Sequence, residues 1–384
     1  MRPSFLPPRL CSAFVLAAAG LFAAWSGAVA AAEPASTFLP NGESLETSIE
    51  TTARADGVTQ IRLRGNWPSP CLPSVESATL AGRDIRIALR SNKALCVRYT
   101  VPFDVTIDPA SALGRPLETG VYRVSLYAAN GQSSEQELRG FALLEIGTSP
   151  PVRAESGFWW PDASREEGVG AAGTGVGFEV HDNTLAAAVF GFDTQGEQAW
   201  YFGTGTLRAK SASLDLVGMH GGSPLFEAAD SQLAADASLV FHVEFESSAR
   251  ATVWFGRYER GANQPKLRLR SIAIVRQALT PYYGATNWDG EWVLLRESAA
   301  HAPMAERFHL ATAGMLDFQI YQLAGDGYVL RCARDRRTAQ VPPERCRLEA
   351  GGQLIGEFDS VGINRLDGYA PDGTRVQMLR VDRR

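Results

Sequence analysis

The chain has 384 residues, of which 45% are hydrophobic and 21% charged, and its formal net charge at pH 7 is −5. This length and composition are typical of a globular protein with two or three domains. The acidic balance argues against electrostatic binding of nucleic acid, which needs a basic surface.

The first thirty residues have the features of a secretory signal peptide. Arg2 and Arg9 form a basic start, an apolar stretch runs from Ala13 to Trp25, and Ala28-Val29-Ala30 offers a small-residue cleavage site. The apolar stretch is too short for a typical membrane span. We therefore predict a signal peptide at 1–30, a periplasmic or extracellular mature chain, and no transmembrane segment in that mature chain.

Four cysteines remain after removal of the leader, which contains Cys11. The leader also takes two of the 37 basic residues and no acidic residue, so 35 basic and 42 acidic residues remain, a net charge of −7. The cysteines form two local pairs, Cys71 with Cys96 and Cys332 with Cys346. An even number in an exported chain predicts disulfides, although four cysteines permit three pairings. The close C-x-x-C spacing of zinc sites does not occur, so we predict no metal site.

Residues 38–147 are predicted to form an immunoglobulin-like β-sandwich. Ile85, Ile87 and Leu89 alternate with polar residues, which is the period of a half-buried strand. About seven such segments, separated by turn signals, are typical of an immunoglobulin-like domain. The separation of Cys71 and Cys96 is far shorter than the inter-sheet bridge of antibody domains, so the likeness is one of class only.

Two further β-rich regions follow a linker around Pro150-Pro151. We predict that 155–278 and 286–384 form one or two antiparallel β-meander or barrel-like units, in an all-β chain. The segment Lys266–Arg276 changes its apolar phase near Ser271, which a β-bulge would explain. Ala299–Arg307 is the best candidate for a short helix.

In three segments of the chain an aromatic residue stands four positions before a glycine. They are Phe192 with Gly196, Tyr321 with Gly325, and Tyr369 with Gly373. One interpretation is a weak internal repeat. Ordinary hairpin turns produce the same pattern, so both interpretations stay open.

Three short motifs occur in order between Gly157 and Gly205. They are Trp159-Trp160-Pro161, then Gly175-x-Gly177-Phe178, then Phe192-Asp193-x-x-Gly196-x-x-x-Trp200-Tyr201. Together they resemble a cassette of uncharacterised exported β-rich proteins of Gram-negative bacteria. This chain departs from the cassette by a charged and glycine-rich insert at Arg165–Gly173. The resemblance implies secretion and a β fold, and it carries over no catalytic residue.

Aromatic side chains are the main candidates for ligand binding. Exposed rings can stack on sugars or on apolar peptide side chains, whereas buried rings would pack the core of β-sheets. Successive side chains of a strand point to opposite faces, so one ring of each adjacent pair can be exposed. The candidate residues are Trp159, Trp160, Trp200, Tyr201 and Trp254.

Other motifs give no support for catalysis. The run Gly173-x-Gly175-x-Gly177 lacks the G-x-G-x-x-G spacing of a dinucleotide site, and we predict no cofactor and no catalytic residue. His242 shares a strand face with Glu244 and Glu246. If these groups are close, the carboxylates would raise the proton affinity of His242, but a solvated outer face explains the pattern better.

The sequence therefore favours an exported, non-enzymatic binding protein of the bacterial envelope, whose ligand is a polysaccharide or an envelope protein. A secreted hydrolase with a dispersed site of acids and histidines is one alternative, and a structural assembly component that works through sheet edges is another. The sequence predicts no oligomeric state.

Overall fold

The computed structural model describes residues 47–53, 59–67, 70–90, 97, 99–129, 135–147, 151–193, 195–221, 226, 233–259, 266–278, 284–297, 302–316, 320–333 and 341–382. Within these ranges the protein is nearly all β, as predicted, with two small sheets followed by two closed eight-stranded barrels. None of the helices described is long and apolar enough to cross a membrane. The predicted signal peptide lies outside the described residues.

The N-terminal region is a sandwich of two sheets that share one hydrophobic core. One sheet has the order β1-β2-β5 and the other β3-β4-β6-β7. The pairing of β4 with β6 is parallel, and the predicted immunoglobulin-like topology is not confirmed. The elements are β1 (Thr47–Ala53), β2 (Thr59–Trp67), β3 (Ser74–Ala81), β4 (Asp84–Arg90), β5 (Val101–Ile107), α1 (Pro109–Leu113), β6 (Gly120–Ala129) and β7 (Gln136–Ile146).

The first barrel is an antiparallel meander that closes because its first strand pairs with both the second and the last. Trp159, Phe178 and Phe245 fill its interior with edge-to-face ring contacts at centroid distances of 5.4 to 5.7 Å. Its strands are β8 (Gly157–Pro161), β9 (Gly175–His181), β10 (Thr184–Phe192), β11 (Gln198–Thr206), β12 (Ser211–Gly221), β13 (Leu233–Ser247), β14 (Arg250–Glu259) and β15 (Lys266–Arg276), with a 3-10 helix at Glu166–Gly168.

The second barrel closes in the same way, and its interior is also filled with side chains. The helix predicted at 299–307 is wrong where the structure describes it, because a strand that pairs with β16 begins at Met304. The elements are a 3-10 helix (Ala285–Trp288), β16 (Gly290–Glu297), β17 (Met304–Leu316), β18 (Ile320–Gly325), β19 (Tyr328–Ala333), β20 (Arg345–Ala350), β21 (Gln353–Val361), β22 (Arg365–Tyr369) and β23 (Arg375–Asp382).

The first strand of each barrel begins with the same local structure, a glycine with positive φ followed two residues later by a buried tryptophan. In the first, Gly157 has a φ of 123° and the Trp159 indole N–H donates to the carbonyl of Glu155 at 3.2 Å. In the second, Gly290 has a φ of 138° and the Trp292 indole N–H donates to the carbonyl of Trp288 at 2.8 Å. The two barrels are thus related by a shared Gly-x-Trp start that differs from the three segments singled out as a sequence repeat.

The last strand of each barrel supplies an arginine to this start. Arg276 Nε donates to the carbonyl of Ser156 at 2.9 Å, and Arg380 donates to the carbonyl of Asp289. Both carbonyls lie three residues before the buried tryptophan of the first strand. The arginine therefore ties the last strand to the first where each barrel closes.

Disulfide bonding is confirmed for one of the two predicted pairs. Cys332 of β19 is bonded to Cys346 of β20, and the two residues are direct cross-strand partners. Cys71 is also disulfide-bonded, but its predicted partner, Cys96, lies outside the described residues.

The sandwich covers one side of the first barrel, which we call the covered wall. There, strand β7 and its neighbour β6 contact the outward side chains of β14 and β15, in an apolar cluster separate from both cores. The bulge predicted near Ser271 is wrong, because β15 pairs with β14 without a register shift. The covered wall explains the change of apolar phase instead. Leu267 and Leu269 face outward under the sandwich, whereas Ile272 and Ile274 face the barrel core.

A candidate binding face on the first barrel

Strands β8, β10 and β11 carry large aromatic side chains on the outside of the first barrel. In a closed barrel, alternate residues of each strand face the interior and the solvent. Here six outward rings are between 43% and 59% exposed, although outward positions of such a barrel are usually polar. We call them the aromatic face: Phe158, Trp160, Phe190, Phe192, Trp200 and Phe202.

The strand register arranges these rings in adjacent rows. One row contains the paired residues Phe158, Gly177, Ala188 and Phe202 across β8, β9, β10 and β11. It therefore has a phenylalanine at either end and a floor of a glycine and an alanine between them.

The next row is more heavily aromatic. It contains Gly175, Phe190 and Trp200, which are paired across β9, β10 and β11. The Trp160 ring of β8 lies against Gly175 at the end of this row. Since neighbouring strands of a sheet lie about 4.8 Å apart, each row spans roughly 14 Å.

Two of the rings lie directly over glycines. A β-carbon on Gly175 would be 2.7 Å from the Trp160 ring, and a β-carbon on Gly173 would be 2.6 Å from the Phe192 ring. Both distances are too short for a real side chain, so the rings can occupy these places only because the residues beneath are glycines. The glycine run of the sequence thus supports the aromatic face.

Polar side chains border the rows. On one border, the row next to that of Phe158 contains Ala186 with Glu179 and Thr204 as its cross-strand partners on either side. Glu179 and Thr204 are exposed. On the opposite border, exposed Gln198 pairs with Phe192. The face therefore has an apolar centre and a polar rim.

The structure separates the five aromatic residues proposed from the sequence. Trp160 and Trp200 belong to the aromatic face, whereas Trp159 is fully buried in the barrel core and Tyr201 is partly buried against it. This agrees with the expectation that one ring of each adjacent pair faces outward. Trp254 faces outward too, but Phe141 of the sandwich lies 5.6 Å from its ring centre and covers it. Trp159 and Trp254 thus have no surface available for a ligand.

Four residues of the aromatic face were not among the proposed site residues. Phe158, Phe190 and Phe202 face outward because the adjacent residues Trp159, Val189 and Tyr201 face inward, and Phe192, two positions after Phe190, lies on the same side of β10. The available signal was the alternation itself. Bulky rings stand two positions apart at Phe190 and Phe192 of β10 and at Trp200 and Phe202 of β11, and Phe190 is opposite Gly175 of β9.

The predicted solvated face at His242 is wrong, because His242 lies buried in the covered wall. Its Nδ1 is 2.7 Å from Ser213 Oγ, and its ring makes an edge contact with Phe141 at 5.1 Å. Burial lowers the pKa of His242 to about 4. Burial also raises the pKa of Glu244. The sandwich removes this strand face from water, which a pattern within one strand does not reveal.

The sequence matches no protein-family profile and no curated protein. Within the described ranges, no group of three or more His, Cys, Asp or Glu side chains is placed to hold a metal ion.

Proposed function

We propose that this chain is an exported, non-enzymatic binding protein of the bacterial envelope that holds a polysaccharide or a protein ligand on the aromatic face. The observation that carries the proposal is the set of six half-exposed rings on adjacent strands of one closed barrel. A Phe or Trp side chain buries about 150–250 Å² when covered, so these rings offer on the order of 600 Å² of apolar surface. This is at the upper end of the roughly 300–600 Å² of the largest apolar patch on a typical monomer, which is often functional.

The support beneath the rings favours binding. Trp160 and Phe192 lie against Gly175 and Gly173, and the strand that begins at Gly175 is paired with β8 on one side and β10 on the other. Rings held in place before a ligand arrives lose little conformational freedom on binding. The face is therefore suited to recognition without rearrangement of the barrel.

Export is part of the proposal and has its own support. The leader at 1–30 has the charge and apolar pattern of a signal peptide. A disulfide such as Cys332–Cys346 persists in oxidising compartments and is rare in the reducing cytosol.

A binding panel with matched variants tests the function. The mature chain is titrated with peptidoglycan fragments, with lipopolysaccharide-derived oligosaccharides and with fractionated soluble envelope proteins. We expect a Trp160→Ala/Trp200→Ala double variant to lose at least tenfold in affinity for the ligand found. Tyr369→Ala is the control, because Tyr369 is 45% exposed on the second barrel. Equal affinity of the double variant and the wild type, or no binding in any fraction, would contradict the proposal.

A further inference from the structure

We infer that the ligand of the aromatic face is a separate protein that presents an apolar surface. The inference rests on the proposed function, because it names the ligand class for the same face. Four features of the structure lead to it: the composition of the rows, their polar border, the area of the face, and the way in which the same barrel already binds the sandwich.

The rows contain almost no hydrogen-bonding side chains. Their outward residues are phenylalanine, tryptophan, glycine and alanine, and on β12 the rows continue with Val217 and Met219 as the partners of Phe202 and Trp200. The side-chain polar atoms in the two rows are the indole N–H groups of Trp160 and Trp200. A saccharide carries hydroxyls around every ring, and each hydroxyl buried without a partner costs about 1–3 kcal/mol. Apolar protein side chains have no such cost.

The border of the face matches the usual plan of a protein interface. Such interfaces have an apolar, charge-poor centre enriched in aromatic residues and a polar rim open to water. Here the rings form the centre, and the exposed side chains of Glu179, Thr204 and Gln198 form the rim. Charged groups are present at the rim and absent from the two rows.

The area of the face favours a different protein over a second copy of this chain. On the order of 600 Å² on each side gives about 1,200 Å² in total, which is the lower end of specific, reversible complexes. Obligate homodimers bury about 2,000 Å² or more. The face is therefore large enough for a reversible partner and small for a permanent dimer.

The covered wall shows that this barrel binds polypeptide through outward rings. Trp254 and Leu267 of the barrel pack against Phe141 and Leu143 of the sandwich strand β7. The contact is apolar at its centre, like the rows of the aromatic face. We expect the partner to present apolar side chains from a flat surface, as β7 does.

Site-specific photocrosslinking distinguishes the possible occupants. p-Benzoylphenylalanine replaces Phe190 or Phe202 in the full chain, which is expressed in the bacterium that encodes it and irradiated in intact cells. Arg347 is the control position, because it is exposed on the second barrel. The reagent captures any nearby C–H bond, so it reports proteins and glycans alike. A second set of chains carries Trp200→Ala in addition.

The expected result is one adduct common to Phe190 and Phe202, at least tenfold above the yield at Arg347 and reduced at least tenfold by Trp200→Ala, whose tryptic digest contains peptides of a second protein. Adducts whose added mass contains no peptides of another protein and is removed by periodate would overturn the inference while leaving the proposed function intact. An adduct made of two copies of this chain would also overturn it. No adduct above the control at either position would contradict both the inference and the proposed function.

Discussion

The ring of Trp160 lies over the backbone of Gly175, so close that a β-carbon on Gly175 would be 2.7 Å from it. This contact joins a half-exposed ring to the one residue type that leaves room for it. It also brings together two motifs of the sequence cassette, the Trp159-Trp160 pair of β8 and the Gly175-x-Gly177 run of β9.

Replacement of Gly175 by alanine should displace the Trp160 ring. Overpacking of this kind costs about 1–3 kcal/mol of unfolding free energy, and the displaced ring should weaken ligand binding. Gly191→Ala is the matched control on the neighbouring strand, since no atom lies within 4 Å of its added β-carbon. Urea unfolding of the two variants checks the prediction, and equal stability of both would contradict it.

The two tryptophans of β8 and β11 that face outward should contribute to binding more than to stability. Trp200→Ala is expected to change the unfolding free energy by about 1 kcal/mol or less, as exposed substitutions usually do. Trp159→Ala should cost about 3–5 kcal/mol, because it empties a fully buried site. Urea denaturation of both variants measures the difference. A large loss of stability in Trp200→Ala would show that its ring belongs to the fold rather than to a binding face.

The stability of the protein should depend on pH through His242. Well above pH 6.5 the imidazole is neutral in both the folded and the unfolded chain. Between pH 6.5 and about 4 the unfolded chain takes up a proton that the folded chain excludes, so unfolding becomes easier as the pH falls. Between pH 6.5 and about 4, the protonation of His242 in the unfolded chain should lower the unfolding free energy by roughly 3 kcal/mol in total.

His242→Asn isolates that contribution, since asparagine can keep a polar contact with Ser213 and does not titrate. Burial raises the pKa values of Glu145 and Glu244, whose effect on stability has the opposite sign. Both carboxyl groups are present in wild type and variant, so the difference between the two pH profiles reports His242 alone. Parallel profiles from pH 6.5 to 4 would refute the assignment.

The Cys332–Cys346 bond should stabilise the second barrel. It closes a loop across a sequence separation of 14 residues, for which chain entropy predicts about 3 kcal/mol. A Cys332→Ser/Cys346→Ser double variant should lose about that much unfolding free energy, and wild type treated with reductant should lose at least as much, because the reductant also opens the disulfide of Cys71. Unfolding that is insensitive to both changes would mean that the bond does not constrain the unfolded chain.

Local patterns were sufficient to predict the all-β class and the barrel-like units, because alternation within a strand depends only on neighbouring residues. The same alternation predicted that Trp159 and Trp160 face opposite sides of their strand. Alternation failed to predict burial where the sandwich covers outward-facing residues of the first barrel. His242, Trp254 and Leu267 all face outward from the barrel, and only the position of the sandwich determines that they are buried.

The aromatic face depends on pairing as well as on alternation. Phe190 and Trp200 are ten residues apart in the sequence and become cross-strand partners through the register of β10 and β11. The role of Gly175 beneath Trp160 similarly requires the contact between β8 and β9. Neither relation can be obtained from one strand at a time, so the arrangement of the rings in rows could not be predicted from the sequence.

Hydroxyl-radical footprinting of the protein, alone and in soluble envelope extract, tests the central claim most directly. We predict that oxidation of Trp160 and Trp200 falls at least fivefold in the extract, whereas oxidation of Tyr369, an equally exposed ring on the second barrel, is unchanged. Equal oxidation of Trp160 and Trp200 with and without extract, or equal protection of Tyr369, would contradict the claim that the aromatic face is the binding surface.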